Sequence, residues 1–355
     1  MDQRLGLPKY DRYDPCVKAM IVESYADINS MIKVGQLIGD RIYSPFSLNT
    51  EREHFRISRQ TVFNTLRSVG ELFLSTSPVT HTPNSLIIMA DEKYIPLQGT
   101  NKKKQMVKAA TIYETTHTKH KRTSLLGKQV YFHTGNHFWE NILDILHDKY
   151  DFDTIQKFHI LGDGASWIKA GVSVLKTTKN DVSFSLDRFH YRQAINRITS
   201  HTQIKDKLID YIQHNDKKNF KLLTRAINND SDLKLHSTEN NIQYIINQWL
   251  SIQNSLHHIR IPCSMEAAIS HNIASHFTSV PKAFKKTNLQ IYLNHRMLHL
   301  NHFNLRFLYL SSLQFFKTDN RRKIASSLDF SLFEPSSRYD KSSSSHWVKG
   351  FIARN

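Results

Sequence analysis

Residues 157–171, KFHILGDGASWIKAG, hold the pattern on which the fold prediction depends. The apolar run 158–161 predicts a short buried strand, because it is β-prone and ends abruptly at a glycine. Asp163 follows between Gly162 and Gly164, and apolar residues then return at the spacing of a helix. The stretch therefore predicts a strand, a glycine-flanked carboxylate and a helix in succession.

Three roles are open for Asp163. Asp-Gly commonly forms a turn, because both residues tolerate positive φ. A nucleotide-binding loop of the G-x-G-x-x-G type is an alternative, but Trp167 stands where that motif needs a third small residue. The third role is that of a catalytic carboxylate at the carboxyl end of a strand. The rest of the chain has to decide among these roles.

The composition indicates a globular and strongly basic protein. The 355 residues are enough for two or three domains, and 39% of them are hydrophobic, which excludes a disordered chain. There are 48 Lys and Arg against 31 Asp and Glu, a net charge of +17 that favours a polyanionic partner. With only Cys16 and Cys263, no signal-peptide core and no run of 18 apolar residues, we expect a cytoplasmic protein without membrane contact.

A second stretch suggests what the polyanion is. Residues 57–73, ISRQTVFNTLRSVGELF, predict a helix capped by Ser58 with an apolar stripe that includes Val62 and Leu66. A helix opening with exposed polar residues is typical of a helix-turn-helix that binds the major groove, although a plain bundle helix fits the same pattern. The net positive charge favours double-stranded DNA as partner and a nucleoid-associated location. The predicted DNA contacts are Arg59, Gln60, Asn64, Arg67, Lys102, Lys103, Lys104 and Lys169.

The order of predicted elements indicates an α/β fold. Beyond a Pro- and Thr-rich linker come three strands, a helix, a strand, a helix and a strand, the order of an RNase H-like mixed sheet. The basic stretch 116–124 is expected to be a loop between the second and third strands. The predicted organisation is a helical helix-turn-helix region at 1–77, a linker at 78–84, the first part of the core at 85–195, an all-helical insertion at 196–260, the return of the core with a glutamate helix and a helical extension at 261–320, and a Ser-rich basic tail at 321–355.

Three carboxylates occupy matching positions in this plan. Asp91 follows the apolar run 86–90 as Asp163 follows its own strand, and the first and fourth strands of an RNase H-like sheet are neighbours. Glu266 begins a helix on which it shares a face with apolar residues. Phosphodiester cleavage needs an activated oxygen nucleophile and a stabilised leaving oxygen, and two Mg²⁺ ions held by carboxylates supply both. Asp91, Asp163 and Glu266 are therefore candidate metal ligands, with Mg²⁺ as cofactor and Mn²⁺ as a substitute, although position alone also fits a solvated surface charge for each of them.

The chain also resembles a known family in six segments. It is similar to the ISLre-two type of bacterial insertion-sequence transposase, a relative of the Mutator-like D-D-E transposases, over residues 5–285. The segments are LGLPKYDRYDP, SRQTVFN, ADEKYIPLQG, ILGDGASWIK, LDRFHYRQAI and CSMEAAISHNIASHF. The resemblance implies an RNase H-like core with a helical insertion, Asp91, Asp163 and Glu266 as the catalytic triad, and a functional histidine at His190. Relatives of this type usually carry a further β-rich segment upstream, which leaves a shortened copy and a mis-started one both open, and His276 stands where an arginine is expected after the glutamate helix.

The sequence therefore predicts a D-D-E transposase that cleaves and joins DNA at the ends of an insertion sequence. It would bind the terminal inverted repeats and target DNA as a homo-oligomer. Two alternatives stay open. One is a catalytically inactive DNA-binding remnant that acts through the helix-turn-helix, and the other is a stand-alone RNase H-like DNA nuclease.

Overall fold

A computed structural model describes residues 13–43, 56–72, 81–99, 104–120, 122–257, 265–278 and 283–313. The helices are α1 (Pro15–Ile28), α2 (Met31–Tyr43), α3 (Arg59–Val69), α4 (Phe138–Lys149), α5 (Ser166–Leu175), α6 (Arg188–Asn196), α7 (Thr202–Gln213), α8 (Lys217–Asn229), α9 (Thr238–Asn247), α10 (Trp249–His257), α11 (Met265–Ile269), α12 (Ser275–Phe277), α13 (Lys286–Leu300) and α14 (Leu305–Ser312). The strands are β1 (Ser85–Pro96), β2 (Lys104–Tyr113), β3 (Thr115–Lys119), β4 (Arg122–Leu126), β5 (Gln129–His133), β6 (Lys157–Gly162) and β7 (Asp181–Leu186).

The chain divides into two compact units. Residues 1–75, 94–105 and 272–355 form the first, called here the helical unit, and residues 76–93 and 106–271 form the second, called the sheet unit. Cys263, Lys102, Lys103, the start of the predicted linker at 78–80 and the tail at 321–355 lie outside the described residues.

The sheet unit is built on a five-stranded mixed sheet in the order β5-β2-β1-β6-β7. The strands β1, β6 and β7 run parallel, whereas β2 and β5 pair antiparallel. Numbered by their order within this sheet, the strands stand 3-2-1-4-5, so the first and fourth strands are neighbours. The predicted mixed α/β class is thereby confirmed.

The basic stretch 116–124 is a hairpin, so the prediction of a loop was wrong. The strands β3 and β4 pair antiparallel from Thr115↔Leu126 to Lys119↔Arg122, and His120 turns the chain with a φ of 48°. Threonines favour strands because their branched side chains suit a pleated surface. The hydroxyls of Thr118 and Thr123 lie 3.0 Å apart across this ribbon. The sequence prediction gave weight to the charges and overlooked the threonines.

One apolar core joins the sheet to the predicted helical insertion. Buried side chains of the parallel strands, such as Ile88 and Phe158, belong to the same cluster as Leu208 of α7 and Phe220 of α8. Gly171 in α5 lies against α4, where a Cβ atom would come within 2.5 Å of the Trp139 ring. The insertion therefore packs as part of the sheet unit, and α7, α8, α9 and α10 are helical as predicted.

The helical unit is made of α1, α2, α3, α13 and α14, with α1 in contact with each of the others. The amide side chain of Asn294 exchanges two hydrogen bonds with the backbone of Leu72, at 2.9 and 3.1 Å. His295 Nε2 donates to the Gly70 carbonyl at 2.8 Å. The helices that the sequence predicted as an extension of the core thus pack with the N-terminal helices.

Two predicted helices differ from expectation in detail. Ser58 caps α3 as predicted, since its Oγ accepts from the Thr61 N–H at 3.1 Å. Residues 44–58, however, separate α2 from α3, and this interval is longer than the three or four residues of a typical helix-turn-helix turn. The predicted glutamate helix is interrupted between α11 and α12 by a π-helical turn, Ser270–Ala274. Within the described ranges, no helix has both the length and the apolar character to cross a bilayer.

Candidate active site

Asp91 and Asp163 lie side by side where the pairing of two central strands ends. The parallel register of β1 and β6 runs to Met89↔Leu161, and each aspartate stands two residues further along the chain, Asp91 within β1 and Asp163 directly after β6. Burial on β1 is complete from Leu86 to Ala90 and ends at Asp91. β1 itself continues to Pro96, so Asp91 marks the end of the buried segment and of the β6 pairing. Strand-end placement thus brings the two predicted carboxylates together.

The pKa of the Asp91 carboxyl is affected by its burial and by the charges near it. Burial raises the pKa of the Asp91 carboxyl to about 6, against a hydrogen bond from the Glu92 N–H that lowers it. The charge of Asp163 raises this pKa as well, and that of His190 lowers it. A cation bound between the two carboxylates would lower this raised pKa again, because it would favour their charged forms.

The two glycines around Asp163 serve close packing. A Cβ atom on Gly162 would lie 2.8 Å from the carbonyl oxygen of Ala90, so only glycine lets the two strand ends approach. Gly164 has a φ of +92°, a conformation that L side chains rarely adopt. The Ala165 N–H donates to Asp163 Oδ1 at 2.9 Å, the side-chain bond of an Asp turn. Asp163 thus forms a turn and also stands at the strand end, so the turn does not exclude a catalytic role.

The helical insertion holds this turn from the far side. Tyr244 on α9 donates its hydroxyl to the Asp163 carbonyl at 2.7 Å, and Gln248 Nε2 donates to the Gly164 carbonyl at 3.3 Å. Burial raises the pKa of Tyr244, and the charges of Asp163 and Asp187 add to that effect. Tyr244 therefore stays protonated as a donor and fixes the backbone that carries Asp163.

A polar cleft opens beside these residues. It encloses about 290 Å³, and its walls come from the strand end, from α6 and from α9. His190 of α6 lies in it together with Asp163, as the resemblance implied for a functional histidine. The lining residues are Asp163, His190, Gln193, Ala194, Arg197, Asn240, Asn241 and Tyr244.

Two further acids at this edge escaped the sequence prediction. Gly162 pairs with Leu186 in register, which puts Asp187 beside Asp163, where its carboxylate accepts from the Phe189 N–H at 3.1 Å and caps α6. Glu92 accepts a short hydrogen bond from the indole N–H of Trp167. Only their position in the sequence could have identified them, because each acid lies close behind a run of buried strand residues.

Glu266, the third predicted ligand, lies on α11 and not at a strand end. It lies exposed in the first turn of α11, and it is not among the charges that act on the pKa of Asp91. In the part of the chain that the structure describes, no three His, Cys, Asp or Glu side chains come together in a way that could hold a metal ion. The role of Glu266 as third ligand stays a prediction.

The predicted DNA contacts occupy separate places. Arg59, Gln60, Asn64 and Arg67 are all exposed on α3, and Gln60 Nε2 donates to Asn64 Oδ1 at 2.8 Å. Of the remaining predicted contacts, Lys104 is exposed at the start of β2, whereas Lys169 is half-buried with its Nζ 5.9 Å from the centre of the Phe184 ring.

Comparison with known proteins gives a family. Residues 1–310 match the uncharacterised protein family UPF0236. The UPF0236 protein TTE2489 of Caldanaerobacter subterraneus subsp. tengcongensis is 27% identical over 320 residues, which cover 86% of this chain and 63% of the relative. The protein TTE1650/TTE2708 of the same organism is 27% identical over 321 residues, covering 86% of this chain and 60% of the relative.

The family is repeated within that genome. A further relative, 26% identical over 321 residues, has a name that joins eleven locus designations, and the match covers 86% of this chain and 63% of the relative. This chain thus spans less than two thirds of the length of these relatives. With the family match over residues 1–310, the chain belongs to the UPF0236 family.

Proposed function

We propose that this chain is the transposase of an insertion sequence, a D-D-E enzyme with an RNase H-like core that cleaves and joins DNA at the element's ends. One observation carries the proposal: Asp91 and Asp163 each stand two residues beyond the last pair in the register of the two central parallel strands, and Asp163 shares a cleft with His190. The strand order 3-2-1-4-5 is that of an RNase H-like sheet and supports it further.

Two findings away from the cleft also support the proposal. A net charge of +17 suits a protein that binds double-stranded DNA in the nucleoid. Eleven loci sharing one name are what repeated copies of a mobile element produce in a genome. By the family resemblance, the protein would act as a homo-oligomer on the terminal repeats and on target DNA.

The donor chemistry of the cleft fits a hard cation. Mg²⁺ is usually bound by one or two carboxylates together with substrate phosphates, and Asp91 and Asp163 are such a pair. Burial is the main cause of the raised pKa of Asp91 and the charge of Asp163 adds to it, so a bound cation would favour the ionised pair. When bound, Mg²⁺ or Mn²⁺ would neutralise phosphate charge and activate the attacking oxygen.

The side chains of the chain itself would position the reactants. His190, which lines the cleft, would donate a hydrogen bond to a phosphate oxygen or to the leaving 3′ oxygen. Arg197 supplies positive charge at the cleft for the DNA backbone, and Tyr244 keeps Asp163 in place. In hydrolysis, the water oxygen bonds to phosphorus while the bond to the 3′ oxygen breaks. The released 3′-hydroxyl then attacks a target phosphodiester, whose own 3′ oxygen leaves.

A cleavage assay tests this function. Purified protein incubated with Mg²⁺ or Mn²⁺ and linear DNA carrying the element's own ends is expected to cut at those ends and to join them to target DNA. A chelator added to a parallel reaction is expected to stop the cutting. Cutting without preference for the ends would identify the nuclease alternative.

One observation favours a second function, that of an inactive DNA-binding remnant. Among the residues placed by the structure, no three acids, histidines or cysteines form a group that could hold a metal ion. If that arrangement is the working one, end-specific binding without cleavage under either metal is expected. The same assay, run beside a binding measurement, separates the two functions.

End recognition is expected to depend on α3. Replacing Arg59, Gln60 and Asn64 together by alanine should weaken end-specific binding by roughly 100-fold or more, because each side chain that reads a base edge contributes about 1–3 kcal/mol. Binding to unrelated DNA should fall far less. Fluorescence anisotropy on end DNA and scrambled DNA measures both.

A matched control for α3 lies on α2. Lys33 and Arg41 are exposed there, so their replacement by alanine removes positive charge from the same unit without touching α3. Unchanged end preference in the α3 triple variant would show that the recognition helix lies elsewhere.

A further inference from the structure

The outer face of α6 carries an exposed aromatic ring among cationic and amide side chains. Phe189 is 49% exposed, an unusual degree for a phenylalanine within a folded unit. It lines an open depression of about 520 Å³, and the lining residues are Arg188, Phe189, Arg192, Gln193 and Asn196. A guanidinium binds phosphate, a ring face stacks on a nucleobase, and an amide pairs with a base edge.

This depression continues into the candidate active site. The Phe189 ring meets the His190 ring edge to face, with centroids 5.6 Å apart and planes at 82°. Gln193 lines both the depression and the cleft that contains Asp163. A ligand that covers Phe189 therefore lies next to the place proposed for the reacting phosphate.

Three arginines, Arg188, Arg192 and Arg197, give this face positive charge. Neither Arg192 nor Arg197 has an ion-pair partner among the residues that the structure describes, and both are exposed. Arg188 donates from Nη2 to the Ser255 carbonyl at 2.8 Å, which anchors the start of α6 to α10 while its charge remains. Cations held on a rigid helix are suited to successive phosphates of a nucleic-acid strand.

We propose that α6 binds an unpaired nucleotide of the DNA, its base stacked on Phe189 and its phosphates on Arg192 and Arg197. The inference rests on the proposed function and adds to it the form of the substrate. Bases inside a duplex stack on each other and present no ring face to a side chain on a helix surface. An unpaired nucleotide at a frayed or forked end, in contrast, has a free ring face that can lie on the Phe189 ring.

A binding experiment without metal tests this inference. Fluorescence anisotropy in a chelator compares a blunt duplex with the same duplex carrying a forked, unpaired end, using wild-type protein and Phe189→Leu. Phe189→Leu keeps an apolar side chain of similar size but removes the ring face. It is expected to weaken binding of the forked DNA by roughly 5- to 150-fold, the effect of losing one stacked base, and to change duplex binding less than about twofold.

Two further variants separate stacking from folding. Phe189→Tyr retains the ring and is expected to bind forked DNA like the wild type. Phe307→Leu removes a partly exposed phenylalanine of α14 in the helical unit and is expected to leave the preference for forked DNA unchanged. The thermal midpoints of all variants should agree within about 2 °C, because exposed side chains contribute little to stability.

Each outcome is decisive. If the wild type binds neither DNA, the proposed function itself fails. If the wild type binds DNA but Phe189→Leu binds both forms like the wild type, the stacking site alone is overturned. An equal loss of affinity for duplex and forked DNA also overturns it. So does a loss of self-association in Phe189→Leu with DNA binding unchanged, because the ring would then contact a second copy of the chain.

Discussion

Asp163→Asn is expected to abolish DNA strand cleavage and to leave DNA binding intact. Asparagine keeps the oxygen that accepts from the Ala165 N–H, so the turn at Asp163 survives the change. It removes the negative charge with which Asp163, beside Asp91, would hold a hard cation. We expect a loss of at least about 10³-fold in cleavage rate, as for removal of one group that stabilises developing charge in a transition state.

Cleavage and end binding should be measured on the same preparation of this variant. Asp181→Asn is a suitable control, because Asp181 is exposed at the opposite end of β7 and forms a surface ion pair with Lys176 at 2.9 Å. That control should cleave like the wild type. If Asp163→Asn cleaves DNA like the wild type, Asp163 only forms a turn and the proposed catalytic role is wrong.

The second large effect concerns stability at acid pH and depends on His295. This side chain is fully buried, and burial lowers its pKa to about 4, against the hydrogen bond to Gly70 that raises it. Its Nδ1 is buried without a hydrogen-bond partner, so a proton added there would have no acceptor among the described residues. The folded protein therefore favours the neutral ring.

The direction of the pH dependence follows from this lowered pKa. The unfolded chain begins to bind a proton at its His295 near pH 6.5, before the folded protein does, so stability is full above that pH. It falls as the pH drops from about 6.5 to about 4 and levels off below. The loss due to this residue is expected to be on the order of 3 kcal/mol.

Urea unfolding followed by circular dichroism at several pH values between 7 and 4 measures this loss. His295→Gln cannot titrate but can still donate to the Gly70 carbonyl, so its stability should decline less over that range, whatever its stability at pH 7. His201→Gln, which removes an exposed histidine, controls for losing a histidine elsewhere. Parallel curves for the wild type and His295→Gln would contradict the prediction.

Much of the sheet could be predicted from the sequence because its signals are local. The runs 86–90 and 158–161 are apolar, short and followed by Asp91 and by Gly162, which identified two buried strands. Their pairing followed from the order of elements. The β3–β4 ribbon was missed because charge and strand propensity compete there. The π-helical turn in the glutamate helix could not be predicted, because its apolar residues follow the same spacing as those of a regular helix.

The site could be predicted only in part, for a physical reason. Asp91 and Asp163 come together through strand register, which depends on neighbouring residues. Tyr244, in contrast, reaches Asp163 across 81 positions of sequence, and no local pattern marks a residue for such a contact. The short bond of Trp167 to Glu92 is equally remote in sequence. Side chains that position a site from another element become visible only in the fold.

The hydrogen bond from Tyr244 to Asp163 also has a consequence for the order in which the protein folds during synthesis. Synthesis proceeds from the N-terminus, so the GDG turn exists well before the helix that steadies it. Closing a loop of 81 residues costs chain entropy that packing of α9 has to offset. The backbone that carries Asp163 is thus steadied only after α9 has been synthesised and has packed against the sheet.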